Sequence, residues 1–270
     1  MEQQKEKIRK YYDSNPKREW ARLDKYGIEF QVTLKHLLKH LKPNSKILDI
    51  GGGPGRYAFA LTEAGHEVHL TDLSPGHIEF AQQKQKELGI ILGSATVRDA
   101  EDLSQFPDNT FDAVINLGPL YHIQEDNSRN KTISESIRVL KKNGLCTFGF
   151  ISIYAPIYDI VKKDPSTILS KYDDLLRFID TGIRIESEKD PGFTDIYLID
   201  PMKIEDLFVN SPVEKVSLFG TEGLTAQSET RIIQSDLSVF KKWVDLAYLT
   251  STTIAGVNGS EHIVYMARKK

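Results

Sequence analysis

The chain has 270 residues, with 35 Lys and Arg against 38 Asp and Glu and a net charge of −3, a near-balance that leaves no basic footprint for nucleic acid. Its 40% apolar content is enough for a sizeable core and excludes a disordered or collagen-like chain. A lone cysteine, Cys146, excludes an internal disulfide framework and a cysteine-rich zinc site, and suits a reducing compartment.

The first seven residues are too charged for a secretory leader. The longest uncharged apolar-rich stretch, 145–158, contains Gly149 and Pro156 and is shorter than the roughly 20 residues a membrane span needs. The expectation is a soluble cytoplasmic protein without a membrane partner.

In chain order, residues 1–45 read as helical. A short pattern over 5–12 breaks near Asn15-Pro16. In a second, Leu34, Leu37, Leu38 and Leu41 recur at i, i+3, i+4, i+7 and predict one buried stripe, stopped by Pro43. His36 and His40 stand at i, i+4 in this segment. Without the Glu of H-E-x-x-H they read as a solvated face rather than a metal pair.

From Lys46 strands and helices alternate. Residues 46–50, 67–71, 95–98, 111–117 and 145–152 read as strands, and 213–219 and 262–267 as two more. Helices are expected over 56–64, ending at Gly65, and from Ser74-Pro75 to Leu88 before Gly89. Two more are expected, over 131–140 with Ile133, Ile137 and Leu140 on one face, and over 236–249 with Leu237, Phe240, Val244 and Ala247 in register. Segment 153–200 breaks the rhythm and reads as an insertion. Cys146 falls inside an apolar strand and reads as an inert core residue. The alternation predicts an α/β fold: a doubly wound, mostly parallel seven-stranded sheet, Rossmann-like, with N-terminal helices and a lid inserted after the fifth strand. The expected organisation is an N-terminal helical lid (1–45), a core (46–152), an inserted lid (153–200) and the C-terminal part of the core (201–270).

The most informative segment is the first strand-to-helix turn, Asp49-Ile50-Gly51-Gly52-Gly53-Pro54-Gly55. Glycines there let backbone approach a ligand closely, and a helix N-terminus offers free N–H groups. The dinucleotide fingerprint G-x-G-x-x-G fails, because its third glycine falls on Arg56. The spacing is D-x-G-x-G-x-G instead. Asp72 ends the second strand, where a carboxylate can accept from a ribose diol, and Asp99 follows the third.

This combination resembles the class I S-adenosylmethionine-dependent methyltransferases of small-molecule type, similar to the ubiquinone/menaquinone biosynthesis methyltransferases, over roughly half the chain. The resemblance implies S-adenosylmethionine as cofactor and S-adenosylhomocysteine as product. It places Gly51, Gly52 and Gly53 under the methionine and ribose parts, Asp49 beside the amino end and Asp72 on the ribose hydroxyls. Leu73 would flank the adenine. Asp99 would accept from its amino group near the Ala100 N–H, and Leu117 and Gly118 would face the methionine ammonium and the sulfonium. Tyr11-Tyr12-Asp13 and Glu19-Trp20-Ala21-Arg22 resemble an N-terminal lid, in which Tyr12 would cover the cofactor and Arg22 would pair with a carboxylate.

His122, just after the fourth strand, is the expected base or acceptor-orienting group, with Tyr121 a weaker candidate. Tyr154, Tyr158, Tyr172 and Tyr197 are candidates to line the acceptor pocket. The reading is methyl transfer to a small molecule by in-line displacement. The alternatives are a nucleic-acid or protein methyltransferase and a non-catalytic cofactor-binding protein of the same fold. Asn116-Leu117-Gly118-Pro119 does not match the Asp/Asn-Pro-Pro-aromatic motif of amino-group methylation, and Cys146 is not a loop nucleophile. Asp108-Asn109 and Asp126-Asn127 lie away from the positions a catechol-type metal site needs, so no metal is expected.

Overall fold

Period-two alternation in short apolar runs decides the layering. A computed structural model describes residues 2–25, 27–186 and 194–270. Residues 1, 26 and 187–193 of the expected lids lie outside the described residues. In β1 (Lys46–Ile50) Ile47 enters one apolar cluster while Leu48 and Ile50 enter another. In β4 (Phe111–Asn116) Ala113 and Ile115 face the first cluster, and Phe111 and Val114 the second. Both faces are therefore apolar and both are covered, as a parallel sheet requires.

With β2 (Glu67–Asp72), β3 (Ser94–Val97) and β5 (Leu140–Ser152), the sheet runs β3-β2-β1-β4-β5, all parallel. Two strands, β6 (Ile183–Arg184) and β7 (Ile196–Ile199), follow in the insertion. β8 (Val213–Gly220) and β9 (His262–Lys269) close the edge, β9 antiparallel to both β5 and β8. Because β9 runs backwards, its first residues arrive at the carboxyl edge of the parallel strands. There His262 stands opposite Ile151.

Among the described residues the sheet has nine strands, not the expected seven. The long β5 outruns β4, whose ladder ends at Phe148, and on that side its last residues take a further neighbour: Ile151 pairs with Leu198 and Ser152 with Ile199 of β7. The two-residue β6 then pairs with β7. Two residues carry no readable period, so this ladder was invisible in the sequence.

One face is covered by α3 (Gly27–His40), α4 (Arg56–Glu63), α5 (Pro75–Leu88) and α10 (Leu237–Thr250). The other is covered by α6 (Asp126–Arg138) and the 3₁₀ segment Pro201–Phe208. Ser74 caps α5 as expected, its hydroxyl accepting from the His77 N–H at 3.1 Å, and Gly89 ends the helix at φ 67°.

Some helix faces differ from expectation. In α3 the buried positions are Ile28, Glu29, Val32, Thr33, His36 and Leu37, while Leu38 is 42% exposed. His36 is not solvated: its ring stacks on Phe219 at 3.8 Å, its Nε2 pairs with Ser251 Oγ at 2.9 Å, and burial lowers its pKa to about 4. A polar ring on the inner face shifted the stripe by a fraction of a turn. Leu140 leaves the helical pattern and starts β5, and Leu237 is exposed at the first turn of α10. Cys146 is buried, and burial pushes its thiol up to about 12.

Residues 153–200 build α7 (Ala155–Lys163), α8 (Ile168–Thr181) and the β6–β7 ladder around a separate apolar cluster of Ile151, Ile153, Ala155, Leu175, Phe178, Ile196 and Leu198. At the N-terminus α1 (Glu2–Asp13) and α2 (Pro16–Lys25) precede α3, and α9 (Glu229–Ile233) and α11 (Ile254–Asn258) complete the helices among the described residues. None of these is long and apolar enough to cross a membrane.

Phe148 of β5 is fully buried with its ring 5.0 Å from that of Phe208. Phe148→Ala is expected to cost about 3–5 kcal/mol through lost transfer and an unfilled cavity. In urea unfolding this appears as a lower midpoint at unchanged slope.

Candidate active site

The turn after β1 is folded so tightly that side chains have no place in it. Gly51 and Gly53 sit at φ 61° and 60°, in the left-handed region. A Cβ on Gly51 would lie 2.4 Å from Pro119 Cγ, and one on Gly52 would lie 2.4 Å from Asp49 Oδ2. At Gly53 the nearest side-chain atom to such a Cβ is 3.7 Å away, on His77. The turn therefore presents bare backbone to a cleft of about 920 Å³ along the carboxyl edge of the sheet. All the residues expected to bind a cofactor line it, from Tyr12 and Arg22 through Asp49, Asp72 and Asp99 to Leu117 and Gly118, and so do Tyr121 and His122.

The three acids differ in state. Asp72 is fully engaged by its own neighbourhood: Oδ2 accepts from the Gly53 N–H at 2.8 Å, and Oδ1 from the Ser74 N–H at 2.8 Å and His77 Nδ1 at 3.2 Å. These bonds fix the carboxylate against the turn. Asp99 accepts from Lys5 Nζ at 2.6 Å and from the Glu101 N–H at 2.9 Å. Asp49 is 2% exposed, and its Oδ2 has no hydrogen-bond partner among the described residues. Burial, then the nearby Asp72, pushes its pKa up to about 7. An orphaned carboxylate oxygen beneath a side-chain-free turn fits a ligand that brings hydrogen-bond donors and positive charge.

α1 closes one wall. It has no buried residue and is held by polar contacts. Lys5 bridges Asp99 and Glu101, and Lys7 bridges Glu186 and Asp195. Asp13 Oδ1 accepts from Ser74 Oγ and from the Gly76 N–H at the start of α5. Tyr12 OH meets His122 Nε2 at 2.8 Å, while His122 Nδ1 meets Thr194 Oγ1 at 2.9 Å. Both ring nitrogens of the expected base are thus occupied, and burial lowers its pKa to about 4. His122 reads as the neutral knot joining α1, the loop after β4 and the insertion. Burial pushes the Tyr121 phenol up to about 12, against the pull of Arg22.

The other end of the cleft combines an apolar wall with a charged floor. Ile151, Ala155, Ile160, Leu175 and Phe178 supply the wall. The four tyrosines expected there are elsewhere. Tyr158 OH donates to the Asn258 carbonyl, Tyr197 lies under Arg129, Tyr172 is exposed, and Tyr154 packs against the insertion's own cluster. On the floor Arg22 Nη1 donates to Glu29 Oε2 at 3.0 Å, so the expected partner of a ligand carboxylate already holds a protein one. Beyond it Glu222 Oε1 and Glu29 Oε2 lie 2.7 and 3.7 Å from His262 Nδ1. These groups lie within 4.8 Å of one another, and His262 and Arg22 supply the positive charge between the carboxylates.

Glu29, Glu222, Glu261 and His262 were missed in the sequence. They come from three separate segments, with Glu261 and His262 adjacent, and form no recognisable motif. The available signal was topological: an antiparallel last strand must begin at the ligand-binding edge.

Residues 47–144 match the family model described as a methyltransferase domain. A curated relative, the ubiquinone/menaquinone biosynthesis C-methyltransferase UbiE of Neisseria meningitidis, is 30% identical over 163 residues, 56% of this chain and 64% of that protein. The chain therefore spans less than two thirds of that relative's length. Among solved structures, a SAM-dependent methyltransferase from Methanosarcina mazei superposes with a TM-score of 0.59 at 18% identity, covering 86% of this chain and 96% of that one. The geranyl diphosphate C-methyltransferase of Streptomyces coelicolor, solved with Mg²⁺, geranyl diphosphate and S-adenosyl-L-homocysteine, gives 0.52 at 17% identity, covering 88% and 78%. These likenesses to solved structures are of fold.

Asp49 yields a prediction of its own. Its carboxyl titrates near 7 in the folded chain, well above the ordinary carboxylate value, so the folded state holds an extra proton between about pH 4 and 7. Its contribution is present at low pH and is lost as pH rises through 7. Asp49→Asn should therefore gain roughly 2–4 kcal/mol relative to wild type between pH 4 and pH 8. Urea unfolding at the two pH values checks this.

Proposed function

We propose, from the premise that residues 47–144 are a methyltransferase domain, that this chain is a class I S-adenosylmethionine-dependent methyltransferase acting on a small-molecule acceptor. The observation that carries the reading is the bare turn 51–53 over the orphaned Asp49 oxygen, with Asp72 pinned beside it. This fits a cationic, donor-bearing cofactor. When bound, the cofactor supplies a methyl group already activated by its sulfonium.

The residues then have separable tasks. Gly51, Gly52 and Gly53 let the backbone approach the methionine and ribose parts. Asp72 accepts from the ribose hydroxyls, and Leu73 packs by the adenine. Asp99 shares its oxygens between Lys5 and the adenine amino group, next to Ala100. Asp49, Leu117 and Gly118 border the amino-acid end. Tyr12 and Arg22 cover the site, and the insertion's apolar wall keeps water from the reacting atoms. Orientation and water exclusion of this kind lower a barrier by roughly 7–11 kcal/mol. The small-molecule reading is supported by a cleft of about 920 Å³ whose far wall is apolar, and by the UbiE relative, a C-methyltransferase of ubiquinone/menaquinone biosynthesis.

Calorimetry with S-adenosylhomocysteine tests the cofactor half: binding is expected, and Asp72→Asn should weaken it about 10–100-fold, the loss of charged hydrogen bonds worth roughly 1.5–3 kcal/mol. Incubation with methyl-labelled cofactor and a metabolite extract tests the transfer half. Label moving into small molecules is expected, and its absence overturns the reading.

A further inference from the structure

We infer that His262, clamped by Glu222, is the group that takes the proton from the acceptor. The inference rests on the methyl-transfer reading above.

Three observations place it. His262 lines the same cleft as the glycine turn, and its side chain is 25% exposed. Its Nδ1 faces Glu222 Oε1 at 2.7 Å, and Glu222 is only 2% exposed. The other Glu222 oxygen accepts from the backbone N–H groups of Glu261 and His262, at 3.2 Å each, so the carboxylate cannot swing away. A carboxylate accepts only, so Nδ1 carries the proton, and the lone pair of the neutral ring is left on Nε2. Nε2 has no partner among the described residues and is not one of the sealed, unsatisfied atoms. It therefore opens into the cleft.

Position agrees. β9 is the second strand from β4, about 10 Å across the sheet, and His262 stands opposite Ile151, past the Asn116–Phe148 pair that ends the β4 ladder, so it and the β4 exit at Leu117–Gly118 line one cleft. His122 has no nitrogen to offer, because Tyr12 and Thr194 hold both. With an acceptor X–H, His262 Nε2 takes the proton. The X lone pair bonds the methyl carbon, and the carbon–sulfur pair returns to sulfur as the thioether. The proton later passes from the imidazolium to water. Glu222 acts as a positioning residue.

The groups facing the ring set its working range. Burial lowers the His262 pKa, Glu29 from α3 and Glu222 raise it, Arg22 from α2 lowers it, and the result is about 9. Around them Glu229 of α9 is pushed up to about 8, by burial first and then by Glu222 and Glu29. Glu261 is raised by burial and by Glu222, while Lys162 of α7 pairs with it. The base form of His262 therefore gains population as pH rises toward 9.

The test is acylation of the full chain by diethyl pyrocarbonate, which attacks uncharged accessible imidazole, from about pH 6 to about 9.5 with the modified peptides mapped. His262 should be modified, with a midpoint near 9. Glu222→Gln should move that midpoint down by about one unit or more toward the ordinary histidine value, and Glu29→Gln by less. In the extract assay His262→Asn should lower label transfer about 10²–10⁴-fold, with S-adenosylhomocysteine affinity kept within about twofold. An unreactive His262, a midpoint indifferent to both Glu variants, or undiminished transfer by His262→Asn overturns the inference. Failure of the wild type to bind S-adenosylhomocysteine overturns the underlying reading instead. The two failures are distinguishable because the acylation profile is read without cofactor.

Discussion

The structure depends on one contact: the peptide of Gly52 lies directly on the Asp49 carboxylate, and the next N–H, that of Gly53, is caught by Asp72. This contact joins the tips of β1 and β2 and admits no Cβ at Gly52. It also leaves one buried carboxylate oxygen of Asp49 without a donor among the described residues. The protein stores an unsatisfied charge site at the centre of its cleft, and a donor-bearing cation relieves it. Such a site is costly to the empty chain, the usual relation between stability and function at a binding site.

From that point the cleft divides. Toward β3 it is polar and governed by Asp72, Asp99 and the cations of α1. Toward β9 it is apolar on one side, with a network of opposite charges beneath. Arg22 belongs to both halves, since it rises from the N-terminal cover and is held by Glu29 on the floor. Charges packed this closely are strongly coupled, and a change of charge at one shifts the protonation of the others.

Much of the fold was legible because its signals are local. Ser74, Pro75 and Gly89 delimit α5 by themselves, and the run Asp49–Gly55 announces a turn that only backbone can occupy. The cleft lining from β1 to β4 was legible for the same reason: Asp49, Asp72, Asp99 and Leu117 follow consecutive strands at fixed places. The far end of the cleft was not. Tyr154, Tyr158, Tyr172 and Tyr197 suggested a pocket by composition, yet Tyr154, Tyr158 and Tyr197 have local partners elsewhere and Tyr172 is exposed. His262 looked like the first residue of an ordinary strand until its antiparallel partner fixed where that strand begins. His122 had the right address but also two partners, Tyr12 from 110 residues upstream and Thr194 from 72 downstream. Pairings at that separation leave no trace in a periodicity.

The first helix has a consequence beyond covering the cleft. A segment whose side chains are at most half-buried gives up little hydrophobic free energy when it lifts. Beside the Tyr12–His122 contact its attachment includes partly hydrated charge pairs, and these pairs weaken as mobile ions shorten the screening distance. Ligand traffic through that side is thereby separated from the cohesion of the core. Ionic strength acts on those charge pairs of the door, while the sheet and its two apolar layers remain indifferent.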